Sequence, residues 1–173
     1  EARQYPTMDP AIPDRIEELG EVAAVDRFRG YEIRYEGRPS ILGAGQSEVL
    51  IRHGSLGFLD GAPAEEVLAK LGSGDRVIIT ETFSNRHELD VGDTLRLPLG
   101  GQMAELEVVG VYYDYSSEGG AAIVDRKTIL KYLPDPAPSN LAIYLADGVD
   151  PEKARVAIEQ ATRGYSIGIA DHG

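Results

Sequence analysis

The chain has 173 residues, 42% of them apolar, no cysteine, and a net charge of −12. A chain of this length makes one domain or two small lobes and buries roughly 70% of its unfolded surface without disulfide or metal. The composition excludes collagen-like, coiled-coil and low-complexity classes. The missing cysteines exclude thiol catalysis, Fe–S clusters and Cys-ligated zinc.

The acidity is even. Residues 1–86 carry 10 basic and 15 acidic side chains, and residues 87–173 carry 7 and 14. Such a surface repels phosphate backbones and anionic lipid, so no nucleic-acid partner is expected. No signal-peptide pattern and no apolar run near 18 residues occurs, so no bilayer span is expected within the chain. Beginning at Glu1 without Met, it reads as a domain of a longer protein, with any membrane segment outside it.

Asp9 and Pro10 predict a helix over 9–19, with Ile12, Ile16 and Leu19 on one face and Pro13 disturbing its start. A long strand from Val22 to Tyr35 follows, with a break near Gly30. Glu36-Gly37-Arg38 turns it into a second strand, Ser40 to Ile51, making a hairpin. After a loop over 53–62, Pro63 to Leu71 reads as a helix stopped by Gly72. Arg76 to Thr80 is a short buried strand, and Thr82 to Leu89 a helical turn or two.

Next comes a glycine-turned hairpin: Thr94 to Leu99, Gly100-Gly101, then Met103 to Tyr115. Ala121 to Val124 is a strand. Asp125 caps a helix carrying Ile129, Leu130 and Leu133 that stops before Pro134. Leu141 to Leu145 is a strand. Asp150-Pro151 opens a helix with Ala154, Ala157, Ile158 and Ala161 on one face, ended by Gly164, and Tyr165 to Ile169 closes the chain as a strand. The ends read as α/β and the middle as a small β module. Two lobes are therefore expected: residues 1–75 with 116–173, and an insert over 76–115.

No set of residues forms a convincing active site. His53, His87 and His172 match no metal signature. Gly43-x-Gly45 lacks the third glycine of a dinucleotide fingerprint, and the alternation after it predicts a strand instead of the helix that phosphate binding needs. No serine sits in a nucleophile elbow. Asp60, Glu65 and Glu66 suit a helix dipole. Asp114, Glu118 and Asp125 lack the spacing of a calcium loop. Tyr112, Tyr113 and Tyr115 crowd one strand end, as half-buried sheet surface or as an interface.

One run is more specific. Ile78-Ile79-Thr80-Glu81 precedes Val91-Gly92-Asp93-Thr94-Leu95-Arg96-Leu97, and Glu107-Val108-Val109-Gly110-Val111 follows. Tyr112-Tyr113-Asp114-Tyr115, Gly119, Ala122-Ile123-Val124-Asp125-Arg126 and Ala142 to Asp150 come next, before an alanine-rich helix. This order, from Leu19 to about Ala161, resembles the extracytoplasmic domain of FtsX-like permeases, the MacB-type periplasmic core domain of ABC transporters. Gly20-Glu21-Val22 resembles the family's leu-pro-gly-val start, with Glu21 departing from it, and Gly30-Tyr31 and Tyr35-Glu36-Gly37-Arg38 resemble the hairpin that follows.

The resemblance implies an α+β fold of two lobes, a porter-like α/β subdomain and an inserted small β subdomain. It implies a place between two transmembrane helices on the outer side of the cytoplasmic membrane. Its partners would be those helices, a cytoplasmic ATPase subunit, and protein, lipoprotein or lipid cargo outside. It carries over no catalytic, cofactor-binding or metal-binding residue, and no cofactor. Asp93 is expected to cap a turn and Gly110 to permit a bulge or close packing. Two other readings are a soluble lipid- or peptide-binding carrier, which needs a contiguous apolar cleft, and an acidic hydrolase or metal enzyme, which needs carboxylates near His53 or His87.

Overall fold

A computed structural model describes residues 3–165 and 167–169. In chain order the elements are β1 (Arg3–Gln4), α1 (Ala11–Glu17), β2 (Val22–Tyr35), β3 (Arg38–Gly45), α2 (Ser47–His53), α3 (Ala64–Leu71) and β4 (Arg76–Thr80). They continue with α4 (Glu81–His87), β5 (Thr94–Leu99), β6 (Gln102–Tyr112), β7 (Ala121–Asp125), α5 (Arg126–Tyr132), β8 (Asn140–Leu145) and α6 (Pro151–Ala161).

The 14-residue β2 organises the molecule. Its first half, Val22 to Phe28, pairs antiparallel with β8. Its second half, Arg29 to Tyr35, pairs antiparallel with β3, and Tyr31 and Glu32 pair with β1. From β3 the sheet continues as β1-β2-β3-β7-β4-β6-β5, with β3·β7 and β4·β6 parallel and the other pairs antiparallel. The expected break near Gly30 is instead a change of partner at Phe28/Arg29 within an unbroken strand.

The result is an α+β fold of two bodies. In the small body α1 and α6 cover the β2·β8 ladder, burying Ile12, Ile16, Val22, Val25 and Ile158. In the large body the rest of the sheet is packed on both faces. One face buries Tyr31, Leu42, Phe83, Leu97, Leu106 and Ile129, and the other buries Phe58, Val67, Leu68, Ile78 and Tyr112 beneath α3. The strands of segment 76–115 belong to this same sheet, because β4 bonds to β7, which lies outside that segment.

Local chemistry starts the helices where expected. Asp9 Oδ1 accepts the Ala11 N–H at 2.9 Å ahead of α1. Asp125 and Asp150 cap α5 and α6, with Pro151 at the first helical position, and Thr80 Oγ1 accepts the Phe83 N–H to cap α4. Asp93 Oδ2 accepts the Asp90 N–H at 2.8 Å in the turn before β5. Gly110 sits where the β4·β6 register slips by one residue. A Cβ there would lie 2.7 Å from the Phe58 ring and 2.8 Å from Val67. Gly110→Ala should therefore cost about 1–3 kcal/mol by overpacking, read as a lower urea midpoint.

Three expectations are corrected. The second hairpin strand ends at Gly45, and residues 47–53 form α2. The stretch Ser47 to Ile51 reads as an alternating strand, but Leu50 and Ile51 pack against the core cluster that holds Val67, Leu68 and Leu71 of α3. Second, β6 ends at Tyr112, and 113–120 is irregular. Third, no strand forms over Tyr165 and 167–169, although Tyr165, Ile167 and Ile169 pack on the small body's core; Ser166 lies outside the described residues.

Candidate functional site

The singled-out residues do not converge. His53 closes α2 and stacks on Tyr144 at 5.2 Å. His87 is buried at the end of α4, against Phe83 and Tyr35, with Nδ1 2.7 Å from Glu36 Oε1. It fastens the β2–β3 turn to α4. His172 lies outside the described residues. Asp60 caps its own loop at Ala62 N–H, and Glu65 and Glu66 lie in the first turn of α3. Asp114 is exposed and bonds Ser116 N–H, whereas Asp125 is buried against Ser47. Among the described residues no group of three or more His, Asp or Glu is placed to hold a metal ion.

The tyrosines separate by depth. Tyr112 is buried edge-on to Phe58, and desolvation drives its phenol well above the ordinary value. Tyr113 and Tyr115 are exposed, with the Tyr115 hydroxyl bonded to Glu81.

A helix does follow Gly43-x-Gly45, contrary to expectation, yet its N-terminus is already filled by carboxylates of this chain. Asp26 Oδ1 accepts the Gln46 N–H at 2.8 Å. Asp125 Oδ1 accepts the Ser47 N–H at 2.9 Å and its hydroxyl at 2.6 Å, while Asp125 Oδ2 accepts the Lys127 N–H. The two glycines serve packing: a Cβ at Gly43 would stand 2.4 Å from the Phe28 ring, and one at Gly45 3.2 Å from Asp26 Oδ2.

The most structured polar site is the seam between the two bodies. Three stretches of chain cross it: residues 5–10 between β1 and α1, β2, and the proline-rich strap 133–139 that runs from α5 to β8. Arg29, 4% exposed, donates Nη1 to the carbonyls of Ala137 at 2.6 Å and Asp135 at 3.2 Å, and Nη2 to Asp135 Oδ2 at 3.3 Å. Arg126 donates to the Pro136 carbonyl at 3.2 Å. Ser139 Oγ accepts the Gly30 N–H, and Met8 N–H reaches the Pro138 carbonyl. On the other flank Arg27 pairs with Asp14 and Glu17 of α1 at 3.2 and 3.0 Å. The Ala137 backbone N–H, then Arg29, holds the Asp135 carboxyl below its ordinary value. Burial and nearby Arg27 lower Arg126.

These groups bind chain to chain. Their chemistry is that of a fastened joint. The sequence profile of the MacB-like periplasmic core domain family matches residues 2–161.

The chain belongs to that family.

Solved structures show the same fold. The extracellular domain of the noncanonic ABC-type transporter YknZ from Gram-positive bacteria aligns with a TM-score of 0.62 at 14% identity, over 94% of this chain and 90% of that one. The periplasmic region of MacB from Actinobacillus actinomycetemcomitans gives 0.60 at 12% identity, over 91% and 72%. No curated protein sequence matches the chain. As a MacB-like periplasmic core domain, it is an extracytoplasmic domain of a MacB/FtsX-like ABC transporter. No helix among the described residues is long and apolar enough to cross a membrane.

Within this family member the seam residues were hard to find by sequence. Arg29 and Asp135 are 106 positions apart, and Ser47 and Asp125 are 78 apart. The signal available was an arginine on a strand otherwise rich in buried residues.

Proposed function

We propose that this domain is a non-catalytic lever of a MacB/FtsX-type permease, carrying conformational change from a cytoplasmic ATPase to the outer side of the membrane. One observation carries the reading: the unbroken β2 is built into both bodies, and the strap clamped by Arg29 and Arg126 ties them a second time. A load applied to the small body is passed to the large sheet through backbone hydrogen bonds instead of a loose linker. In this reading the large body is the outer arm, and the small body, which carries α1 and α6, faces the membrane side. Protein, lipoprotein or lipid cargo would meet the outer arm.

A carrier for lipid or peptide would need a contiguous apolar cleft. Among the described residues, a shallow open depression beside α6 is lined by the polar Glu21, Asp150, Glu152, Lys153 and Gln160 together with Val156 and Ala157.

Reading the parent gene outward from Glu1 and Gly173 tests the assignment. An apolar stretch of about 20 residues is expected beyond each end. If neither is found, the carrier becomes the better account.

A further inference from the structure

We infer that Asp26 is a proton-sensitive pin of the joint, holding the two bodies together when its carboxyl is neutral and loosening them when it is ionised. This goes beyond the lever reading and does not depend on it.

Asp26 lies on the small-body half of β2, 4% exposed, paired in register with Ala142 of β8. Its side chain reaches across the seam to the start of α2 in the large body, where Oδ1 accepts the Gln46 N–H at 2.8 Å. Gln46 returns the contact, its Oε1 accepting the Arg27 N–H at 2.8 Å. Gly45 lets the backbone approach this carboxyl closely.

The charges facing Asp26 come from each neighbouring element. Asp125 faces it from the β7–α5 junction, Arg126 from α5, Arg27 from β2 itself, and the Tyr144 phenol from β8, with His53 of α2 stacked on that ring. Both arginines are committed elsewhere, Arg27 to Asp14 and Glu17 and Arg126 to Pro136. Among the described residues neither donates a hydrogen bond to Asp26. An ionised Asp26 is therefore a buried charge beside the buried carboxylate of Asp125, with a single N–H for compensation. Burial first, then the Asp125 charge, push its pKa up, and the Gln46 N–H and the two arginines oppose this in part.

The sign follows from linkage. A carboxyl whose folded pKa is raised gives stability that is full below its ordinary value and is lost as pH rises through the raised value. Acid should therefore tighten the seam and alkali loosen it.

The test uses the chain as it stands. Hydrogen-exchange protection at the Gln46 and Arg27 amides, corrected for intrinsic exchange, is followed from pH 4 to pH 8. We expect it to fall by about tenfold for each unit that the folded pKa is raised, while amides in the middle of β6 keep theirs. Asp26→Asn preserves the acceptor oxygen and cannot ionise. It should melt at the same temperature as the parent at pH 4 and higher at pH 8, with a flat protection profile. Asp125→Asn should move the parent's drop to lower pH. A parent profile at Gln46 that is flat from pH 4 to 8 overturns the inference. So does an Asp26→Asn offset that does not change with pH, which would mark a purely structural residue. The parent profile decides even if Asp26→Asn fails to fold.

Discussion

Replacing Phe83 by Ala should destabilise the domain by about 3–5 kcal/mol, the cost of a cavity in a core that cannot collapse around it. Phe83 is fully buried, with Tyr35 at 5.5 Å and His87 at 4.5 Å between ring centres. It also lies where three elements are fixed to one another. Its N–H is capped by Thr80, the same Thr80 oxygen accepts the Ala121 N–H that starts β7, and the backbone of Gly120 runs against it. These contacts leave little freedom to fill the void. For a domain of this size the melting temperature should fall by about 10 °C or more. Denaturant unfolding should show a lower midpoint with an unchanged slope. A loss below 1 kcal/mol would mean that α4 repacks freely, and the core as described would be wrong.

Arg29→Leu should have the second largest effect, about 2–3 kcal/mol, from two part-buried carbonyls losing a charged donor. What makes the prediction specific is its contrast with Asp135→Asn. The Asp135 side chain is 56% exposed, so losing its charge should cost under about 1 kcal/mol. If the two substitutions cost the same, the ion pair would be holding the strap. If Arg29→Leu costs several times more, the carbonyls of Asp135 and Ala137 hold it, as their distances of 3.2 and 2.6 Å indicate. Hydrogen exchange in Arg29→Leu should accelerate first at Gly30 and Met8, whose amides bond Ser139 and Pro138 of the strap.

Much of the fold was legible because it is written locally. Strands β2, β4 and β5 fall where alternation and flanking turns put them, and α5 and α6 start at Asp125 and Asp150 because an aspartate before a helix needs only its own next residues to act. The family was legible through the spacing of the Val91-to-Val111 hairpin and the strands around it.

What was missed depends on residues far apart. Residues 47–53 are a helix because Asp26 and Asp125, from two other strands, take the N–H groups at its start. A window of seven residues contains neither of them. The pairing of β4 with both β6 and β7, which places the middle segment inside the large sheet, is likewise set by long-range burial. The seam escaped notice for the same reason: Arg29 reads as one more exposed charge on an alternating strand until the strap 133–139 closes over it.

The central claim is that the two bodies move as one. Val156 on α6 and Met103 on β6 are 46% and 60% exposed, one in each body, and the chain contains no cysteine. Cysteines placed at these two positions in the full permease would carry a pair of spin labels. The distance between them is then measured at one pH with and without ATP. A lever should give one narrow distribution that nucleotide leaves unchanged. A distance that broadens or shifts when ATP binds would show a hinge at the seam and contradict the account.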